Sequence, residues 1–200
     1  MKKLLIGTNN TGKFDELKDL LSQYGFTCFG LKEVGIHYDV EEVGRDYQEN
    51  ALLKAKTYAH MSGILTVSGD SGLSIDALNG EPGICSRNLT GEKRNTDQEL
   101  TDYIVDKMKN ITEGKRQAKL VAAIAICNPK GKCNVEEAFT EGVITEKVDT
   151  KKIPGYPYRS LFKITSLNKM YCQLSDEELK TIAHRAEAVK KLSKYFKQYD

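Results

Sequence analysis

Short apolar runs alternate with longer amphipathic stretches along this chain, and the alternation limits its possible folds more than any other feature. Residues 2–8 form an apolar run that ends in a polar turn, and residues 13–24 then carry apolar side chains at helical spacing. Residues 119–127 are the most apolar run and predict a central strand, which residues 134–144 join through a hairpin. Alternating strands and helices indicate an α/β protein, and the hairpin interrupts a purely parallel order. We therefore predict an α/β fold in which helices flank a mixed β-sheet.

The remaining elements follow from periodicity and from helix start and stop signals. Helices are predicted over residues 47–61 and 96–108, and Ser175 is expected to cap one last helix that runs to about residue 199. A strand over residues 64–68 is expected to end in a turn at 69–72, and residues 79–91 are predicted to form a loop.

Composition limits the classes of function. The chain has 200 residues, 40% of them hydrophobic, which suits a single domain over residues 1–200. The formal net charge is +2 and the basic residues are spread out, so no tract predicts a nucleic-acid footprint. No apolar stretch approaches the length that spans a bilayer, and the N-terminal residues do not resemble a signal peptide. We expect a cytoplasmic protein with neither nucleic acid nor membrane as its partner.

The five cysteines are predicted to be free thiols in a reducing cytosol. Five is an odd number, and their spacings match no zinc pattern. A catalytic cysteine is the alternative, but none of the three histidines forms a recognisable motif with a cysteine.

The polar turn Thr8-Asn9-Asn10-Thr11-Gly12-Lys13 is the first candidate site. A strand that enters a helix through such a turn directs backbone N–H groups and the positive end of the helix dipole at one point, and Lys13 adds a full charge. That arrangement suits phosphate, although the turn lacks the glycines of a Walker A loop. The alternative is an ordinary strand-to-helix turn with Thr and Asn caps.

Acidic and amine groups form two further candidates. Glu41-Glu42 precedes a helix that begins near Glu49, Asn50 and Lys54, and these residues either line a phosphate–metal site or form a solvated helix end. Asp70 lies between Gly69 and Gly72 where a buried strand ends, and a carboxylate there can hold Mg²⁺ or orient water. The alternative for Asp70 is a β-turn residue.

In their order and spacing, these motifs resemble the inosine triphosphate pyrophosphatase (Ham1-like) family across nearly the whole chain. The family's T-x-N-x-G-K turn is matched by residues 8–13, and its E-N-A-x-x-K-A helix by residues 49–55. Its D-D-S-G-L and A-L-x-G-x-P-G segments are matched by residues 69–73 and 77–83, and its S-H-R-[AG] helix by residues 183–186. Four blocks in the same order make the resemblance specific.

The resemblance implies an elongated mixed sheet flanked by helices, in two lobes with the nucleotide in a central cleft. It also implies a homodimer, dependence on Mg²⁺ (or Mn²⁺), and a purine nucleoside triphosphate as the substrate. The reaction would cleave the α–β phosphate bond, which releases the monophosphate and pyrophosphate.

Individual roles are implied residue by residue. Asp70 would activate water and touch the metal, Glu41 would be a second metal ligand, and Lys13 and Lys54 would hold the triphosphate as catalytic residues. The residues implied in substrate binding are Thr8, Asn9, Asn10, Thr11, Gly12, Lys13, Ser71, Gly155, Tyr156, His184 and Arg185.

The chain departs from the family pattern mainly in the segments implied in substrate recognition. Gly69 replaces the first acid of D-D-S-G, Pro154 replaces the aromatic of F-G-Y-D-P, and Leu179 replaces a lysine. Ala183 replaces the serine before the His–Arg pair, and Arg87 falls one place early. We hypothesise that phosphate chemistry is kept while base preference is altered. The alternatives are a different nucleotide target, such as a modified pyrimidine, and a relative that binds nucleotide without turnover.

Overall fold

The computed structural model describes residues 2–89 and 95–199, which form one mixed sheet with associated helices. The strands in these ranges are β1 (Lys2–Ile6), β2 (Phe26–Gly30), β3 (Thr66–Ile75), β4 (Gln117–Cys127), β5 (Cys133–Ile144), β6 (Phe162–Ile164) and β7 (Lys169–Met170). The α-helices are α1 (Thr11–Ser22), α2 (Tyr47–Ser62), α3 (Asp97–Met108), α4 (Asp176–Ile182) and α5 (His184–Leu192). None of the helices in the described ranges is both long and apolar enough to cross a membrane.

The strand order is β2-β1-β3-β4-β5-β6-β7, and the sheet is parallel at one end and antiparallel at the other. β1 pairs in parallel with β2 and β3, whereas β6 pairs antiparallel with β5 and β7. The mixed α/β fold predicted from the sequence is therefore confirmed.

β4 is the fourth of the seven strands, and its position confirms the predicted central strand. All its residues from 122 to 127 are buried, as continuous apolar character predicts for a strand that is covered on both faces. Ala123 and Ala125 of β4 pack in one cluster with Ala51, Ala55 and Ala59 of α2. Because alanine side chains are short, α2 lies close to the sheet.

A second cluster positions the loop that precedes α2. Tyr58 of α2 is 1% exposed and packs with Leu5 of β1 and with Val40. Its hydroxyl accepts the Val40 N–H at 3.2 Å and donates to the Tyr38 carbonyl at 3.3 Å. The acidic residues at 41 and 42 therefore follow a segment that is anchored to α2.

The chain divides into two compact units, and the residues of each come from separate stretches of sequence. The first unit consists of Met1–Asp70, Ala122–Ala138 and His184–Asp200, and the second of Ser71–Val121 and Phe139–Ala183. The prediction of a single domain over residues 1–200 stays a prediction.

The predicted turn at residues 69–72 is wrong, because β3 runs without interruption from Thr66 to Ile75. The glycine pattern has a different cause. A Cβ on Gly69 would lie 2.6 Å from Ile124 Cδ1 and 3.1 Å from the Ala123 carbonyl oxygen, so Gly69 permits close contact with β4. The predicted loop at 79–91 contains a 3₁₀ turn at Gly83–Cys85, and its positions 90 and 91 lie outside the described residues.

The predicted last helix is divided into three pieces. Ser175 caps α4 as expected, but Ala183 is extended, with φ −68° and ψ 139°, and α5 begins directly after it. A 3₁₀ helix at Ser193–Tyr199 then follows α5. Ala183 is fully buried, and a helix-favouring residue gives no local signal of a break that packing imposes.

The prediction that all five cysteines are free thiols is wrong for Cys127 and Cys133, which form a disulfide. The β4–β5 hairpin turn brings their Cα atoms to 4.2 Å. Cys28, Cys85 and Cys172 are free thiols.

Replacing Gly69 by alanine is expected to destabilise the fold by about 1–3 kcal/mol, because the new methyl group overpacks the contact with buried Ile124. Ile124→Val removes Cδ1 and alone costs about 0.5–1.5 kcal/mol. In urea denaturation, Gly69→Ala/Ile124→Val should be more stable than the sum of the single losses predicts. Gly114→Ala is the control, because a Cβ there meets no atom within 4 Å. Additive losses would contradict this account.

Candidate active site

Asp70 lies where β3 extends beyond the carboxyl end of its parallel neighbour β1. Ile6, the last residue of β1, pairs with Val67, so β3 continues past this pair to reach Asp70. Asp70 is only 5% exposed, and its Oδ2 accepts a hydrogen bond of 3.0 Å from Asn50 Nδ2. Lys54 Nζ lies 4.0 Å from Asp70 Oδ1. A buried carboxylate requires such partners, and here both come from α2.

Asn50 joins Asp70 to the loop that carries the acidic residues. It lies four positions before Lys54, so both side chains project from the same face of α2. Asn50 Oδ1 accepts the Gly44 N–H at 2.7 Å. A Cβ on Gly44 would lie 2.6 Å from that same oxygen, so only glycine allows this approach. The start of α2 is fixed by Asp46, whose side chain accepts the Glu49 N–H at 2.8 Å.

The ammonium group of Lys54 connects two carboxylates. Its Nζ contacts Glu42 Oε1 through a hydrogen bond as well as lying near Asp70, and the Lys54 side chain is 10% exposed. Glu41, the residue implied as a metal ligand, is exposed in the same loop. Lys54 therefore lies between Glu42, which it contacts, and Asp70.

Side-chain caps in the first turn confirm one of the two interpretations of its sequence, and the phosphate site stays a prediction. Asn10 caps α1 by accepting the Lys13 N–H at 3.0 Å, and Thr8 Oγ1 accepts the Asn10 N–H at 3.2 Å. These bonds use the side-chain oxygens as acceptors. The Thr8 O–H and the Asn10 side-chain NH2 can in addition donate hydrogen bonds to a phosphate. Asn9 is exposed and donates to Asp39 at 3.0 Å. Thr11 and Gly12 begin α1, where backbone N–H groups lack partners inside the helix.

Lys13 belongs to a group of cations in the first unit. Burial and, after it, the positive charges of Lys54 and Arg185 lower the pKa of Lys13 to about 7, although Asp70 and Glu42 partly oppose the shift. A negative charge beside such a lysine stabilises its ammonium form, so the site binds an anion favourably. We call Lys13, Lys54 and Arg185 the basic cluster.

His184 and Arg185 are the first two residues of α5 and are 2% and 5% exposed. The pair therefore does not lie on a solvated polar face of the helix. Arg185 Nη1 lies 3.4 Å from Glu16 Oε2 of α1, a contact that joins α5 to the helix bearing Lys13. The extended backbone at Ala183 separates this pair from α4.

The other residues implied in substrate binding lie in the second unit. Ser71 follows Asp70 in β3. Gly155 donates its N–H to Asp97 Oδ2 at 2.6 Å, and the Arg159 guanidinium lies 3.6 Å from the centroid of the Tyr156 ring.

Two site residues had only a weak signal in the sequence. Asn50 and Glu42 are polar neighbours of the candidate motifs. The contact of Asn50 with Asp70 depends on the distance between β3 and α2, and that of Glu42 with Lys54 depends on how the preceding loop folds against α2. Helical spacing of four between Asn50 and Lys54 is the one local feature that places both on one face.

The carboxylates near Asp70 are the residues that could hold a hard divalent cation. Mg²⁺ in proteins is held by one or two carboxylates and completes its coordination with water and substrate phosphates. Asp70 and Glu42 supply carboxylate oxygens around one ammonium group, and Glu41 is adjacent in sequence. Within residues 2–89 and 95–199, no group of three or more His, Cys, Asp and Glu side chains is arranged to hold a metal ion.

Comparison with known proteins gives consistent relatives. The sequence profile of the Ham1 family matches residues 4–195. A protein of Bacillus subtilis named dITP/XTP pyrophosphatase is 34% identical over 194 residues, which cover 97% of this chain and 96% of that protein. A Thermus thermophilus protein of the same name is 34% identical over 195 residues, with 98% and 92% covered.

Two solved structures have the same architecture. The Ham1 protein of Staphylococcus aureus superposes with a TM-score of 0.82 at 31% identity, and 100% of each chain is covered. A HAM1 protein of Coxiella burnetii gives a TM-score of 0.84 at 27% identity, with 99% of this chain and 100% of that chain covered. Because the profile, the sequences and the structures agree over nearly the full length, this chain belongs to the Ham1 family.

Proposed function

We propose that this chain is a nucleoside triphosphate pyrophosphatase that hydrolyses aberrant purine nucleotides such as dITP, ITP and XTP. The products are the nucleoside monophosphate and pyrophosphate. The observation that carries the proposal is the basic cluster beside the buried carboxylate of Asp70. Relatives named dITP/XTP pyrophosphatase support the reaction and the substrate class.

The basic cluster is suited to a polyphosphate. Three cations lie near one another, and the lowered pKa of Lys13 reflects their mutual repulsion as well as burial. The oxygens of a triphosphate neutralise that repulsion, and the start of α1 adds N–H donors and the positive end of a helix dipole. The free energy of triphosphate binding therefore comes mainly from attraction to the basic cluster, whose charges the fold already holds together.

Asp70 is proposed as the general base. Its carboxylate accepts a proton from a water molecule, the water oxygen bonds to the α-phosphorus, and the bond to the bridging oxygen breaks, which releases pyrophosphate. Asn50 and Lys54 fix the orientation of the carboxylate. Lys13 and Lys54 offset the negative charge that develops on the leaving group.

A divalent cation, Mg²⁺ with Mn²⁺ as a substitute, is proposed as cofactor. Asp70 together with Glu41 or Glu42 would hold it, and when bound it supplies charge neutralisation and Lewis acidity at the phosphates. We further propose a cytoplasmic homodimer, as the family resemblance implies. The altered base preference that Pro154 and Leu179 suggest remains part of this proposal.

Pyrophosphate release should be measured with dITP, ITP, XTP and the common nucleoside triphosphates in the presence of Mg²⁺. Asp70→Asn is expected to lower kcat by about a hundredfold to ten-thousandfold, the contribution typical of a general base. Binding of tripolyphosphate should survive, because the basic cluster is unchanged. Asp19→Asn, an exposed carboxylate on α1, is the control. A wild-type protein that binds nucleotide but releases no pyrophosphate would refute the enzyme and favour a binding protein.

Asn50→Asp separates the two bonds that Asn50 makes. An Asp at this position still accepts the Gly44 N–H, but it replaces the N–H donated to Asp70 with a like charge. We expect kcat to fall by at least about tenfold, because a hydrogen bond to a charged group contributes roughly 1.5–3 kcal/mol. Gln48→Glu makes the same charge change at an exposed position of α2 and should have little effect. Equal kcat values for the two variants would exclude a role for Asn50.

Tripolyphosphate binding is expected to take up a proton at pH 8. With a pKa of about 7, Lys13 is mostly neutral at that pH in the unbound protein, and adjacent phosphate favours the ammonium form. At pH 6 the lysine is already charged, so the uptake should largely disappear. Calorimetry in buffers of different ionisation enthalpy measures the proton count, and Lys13→Met corrects for protons exchanged by the ligand. Equal proton uptake by wild type and Lys13→Met at pH 8 would contradict the assignment.

A further inference from the structure

The N-terminal turns of α3 hold the segment that contains Gly155 and Tyr156. Gly155 donates its N–H to Asp97 Oδ2 at 2.6 Å, and the Thr101 hydroxyl donates to the Pro157 carbonyl at 3.3 Å. Both contacts lie within the second unit. The backbone on either side of Tyr156 is therefore attached to one rigid helix.

Asp97 is the central residue of this attachment. While Oδ2 receives the Gly155 N–H, Oδ1 receives Arg87 Nη1 at 2.6 Å, so each carboxylate oxygen has a charged or backbone donor. Gly155 has a φ of +81°, a conformation that glycine adopts readily and that sets the direction in which the chain enters Tyr156. A hydrogen bond to an ionised carboxylate is among the stronger ones in proteins, so Asp97 selects this backbone conformation.

The Tyr156 ring is supported from one side by a buried cation. The Arg159 guanidinium carbon lies 3.6 Å from the Tyr156 ring centroid and 4.8 Å from that of Tyr171. Arg159 is 6% exposed, whereas Tyr156 is half-buried. The arginine therefore covers one face of a ring that retains exposed surface. Pro154, two positions earlier, has no aromatic ring to offer a ligand.

We propose that Asp97 is a positioning residue for nucleobase recognition. By holding the Gly155 N–H it fixes the Tyr156 ring against Arg159, and the ring is the aromatic surface on which the base of the substrate packs. This inference rests on the proposed function, because it assigns a base contact to a nucleotide hydrolase. Stacking of a base on an aromatic side chain depends on ring orientation, so loss of the anchor weakens base binding while the basic cluster keeps its charges.

The test compares nucleotide with a probe that has no base. For wild type, Asp97→Ala and Asp97→Asn, kcat and KM are measured with ITP, and tripolyphosphate is titrated as an inhibitor. Asp97→Ala should raise KM for ITP by about tenfold, the typical effect of losing one hydrogen bond to a charged group, with a much smaller change in kcat. The inhibition constant of tripolyphosphate should stay within about twofold, well below the factor of about 5 that corresponds to 1 kcal/mol. Asp97→Asn keeps one side-chain oxygen that can accept the Gly155 N–H but loses the charge and the second oxygen, so it should recover part of the loss.

Gln98→Ala is the matched control. Gln98 is the next residue of α3 and accepts a bond of 2.7 Å from Lys152 of the same segment, but it is exposed. Its replacement should leave both constants unchanged. A general disturbance of the segment would instead raise KM in this variant as well, and would overturn the specific role of Asp97.

Three further results would overturn the proposal: a parallel rise of KM and the tripolyphosphate inhibition constant in Asp97→Ala, no change in either, or an Asp97→Asn variant as impaired as Asp97→Ala. If Asp97→Ala does not fold, Tyr156→Leu decides, because it must raise KM for ITP without affecting tripolyphosphate. If the wild type turns over no nucleotide, the proposed function fails, and calorimetric binding of ITP and tripolyphosphate makes the same comparison for Asp97.

Discussion

The burial of Asp70 beside Asn50 and Lys54 is the constraint on which the first unit depends. A carboxylate that is almost inaccessible to water is stable only with polar or charged partners, and Asn50 and Lys54, at 3.0 and 4.0 Å from its oxygens, are both on α2. Helix α2 must therefore lie close to the sheet, and the alanine cluster between α2 and β4 allows this approach. Gly44 lets the acidic loop approach α2, because a Cβ there would collide with Asn50, and Gly69 lets β3 approach β4, because a Cβ there would collide with Ile124. Small residues that look like ordinary core positions thus determine the geometry of the site.

The basic cluster is an arrangement of like charges that lowers the stability of the unbound fold. Lys13, Lys54 and Arg185 repel one another, and the lowered pKa of Lys13 records both that repulsion and its burial. Natural proteins tolerate such electrostatic conflict mainly at functional sites, where a ligand relieves it. The carboxylates of Glu42, Glu16 and Asp70 limit the conflict without removing it. A polyphosphate is the ligand whose charge and length best match several closely spaced cations.

Local patterns predicted the central strand, the hairpin and the cap at Ser175, because these features depend on neighbouring residues. Features that depend on packing were not predictable. Glycines at 69 and 72 suggested a turn, whereas Gly69 serves close contact with β4 in an extended strand. The break at Ala183 likewise arises from tertiary packing, whereas the Cys127–Cys133 disulfide follows from the hairpin, which brings the two Cα atoms to 4.2 Å. For the site, motif order indicated Asp70, Lys13 and Lys54, while the contacts of Asn50 and Glu42 required the fold.

The central claim is spatial: one polyphosphate is held by the basic cluster while Asp70 faces the reacting phosphorus. A crystal structure with Mg²⁺ and an ITP analogue that cannot be cleaved between the α- and β-phosphates tests it most directly. The account predicts phosphate oxygens within hydrogen-bond distance of the Lys13 and Lys54 ammonium groups, with the ion on Asp70. A triphosphate bound to a different set of residues, with Lys13 and Lys54 making no contact, would contradict it.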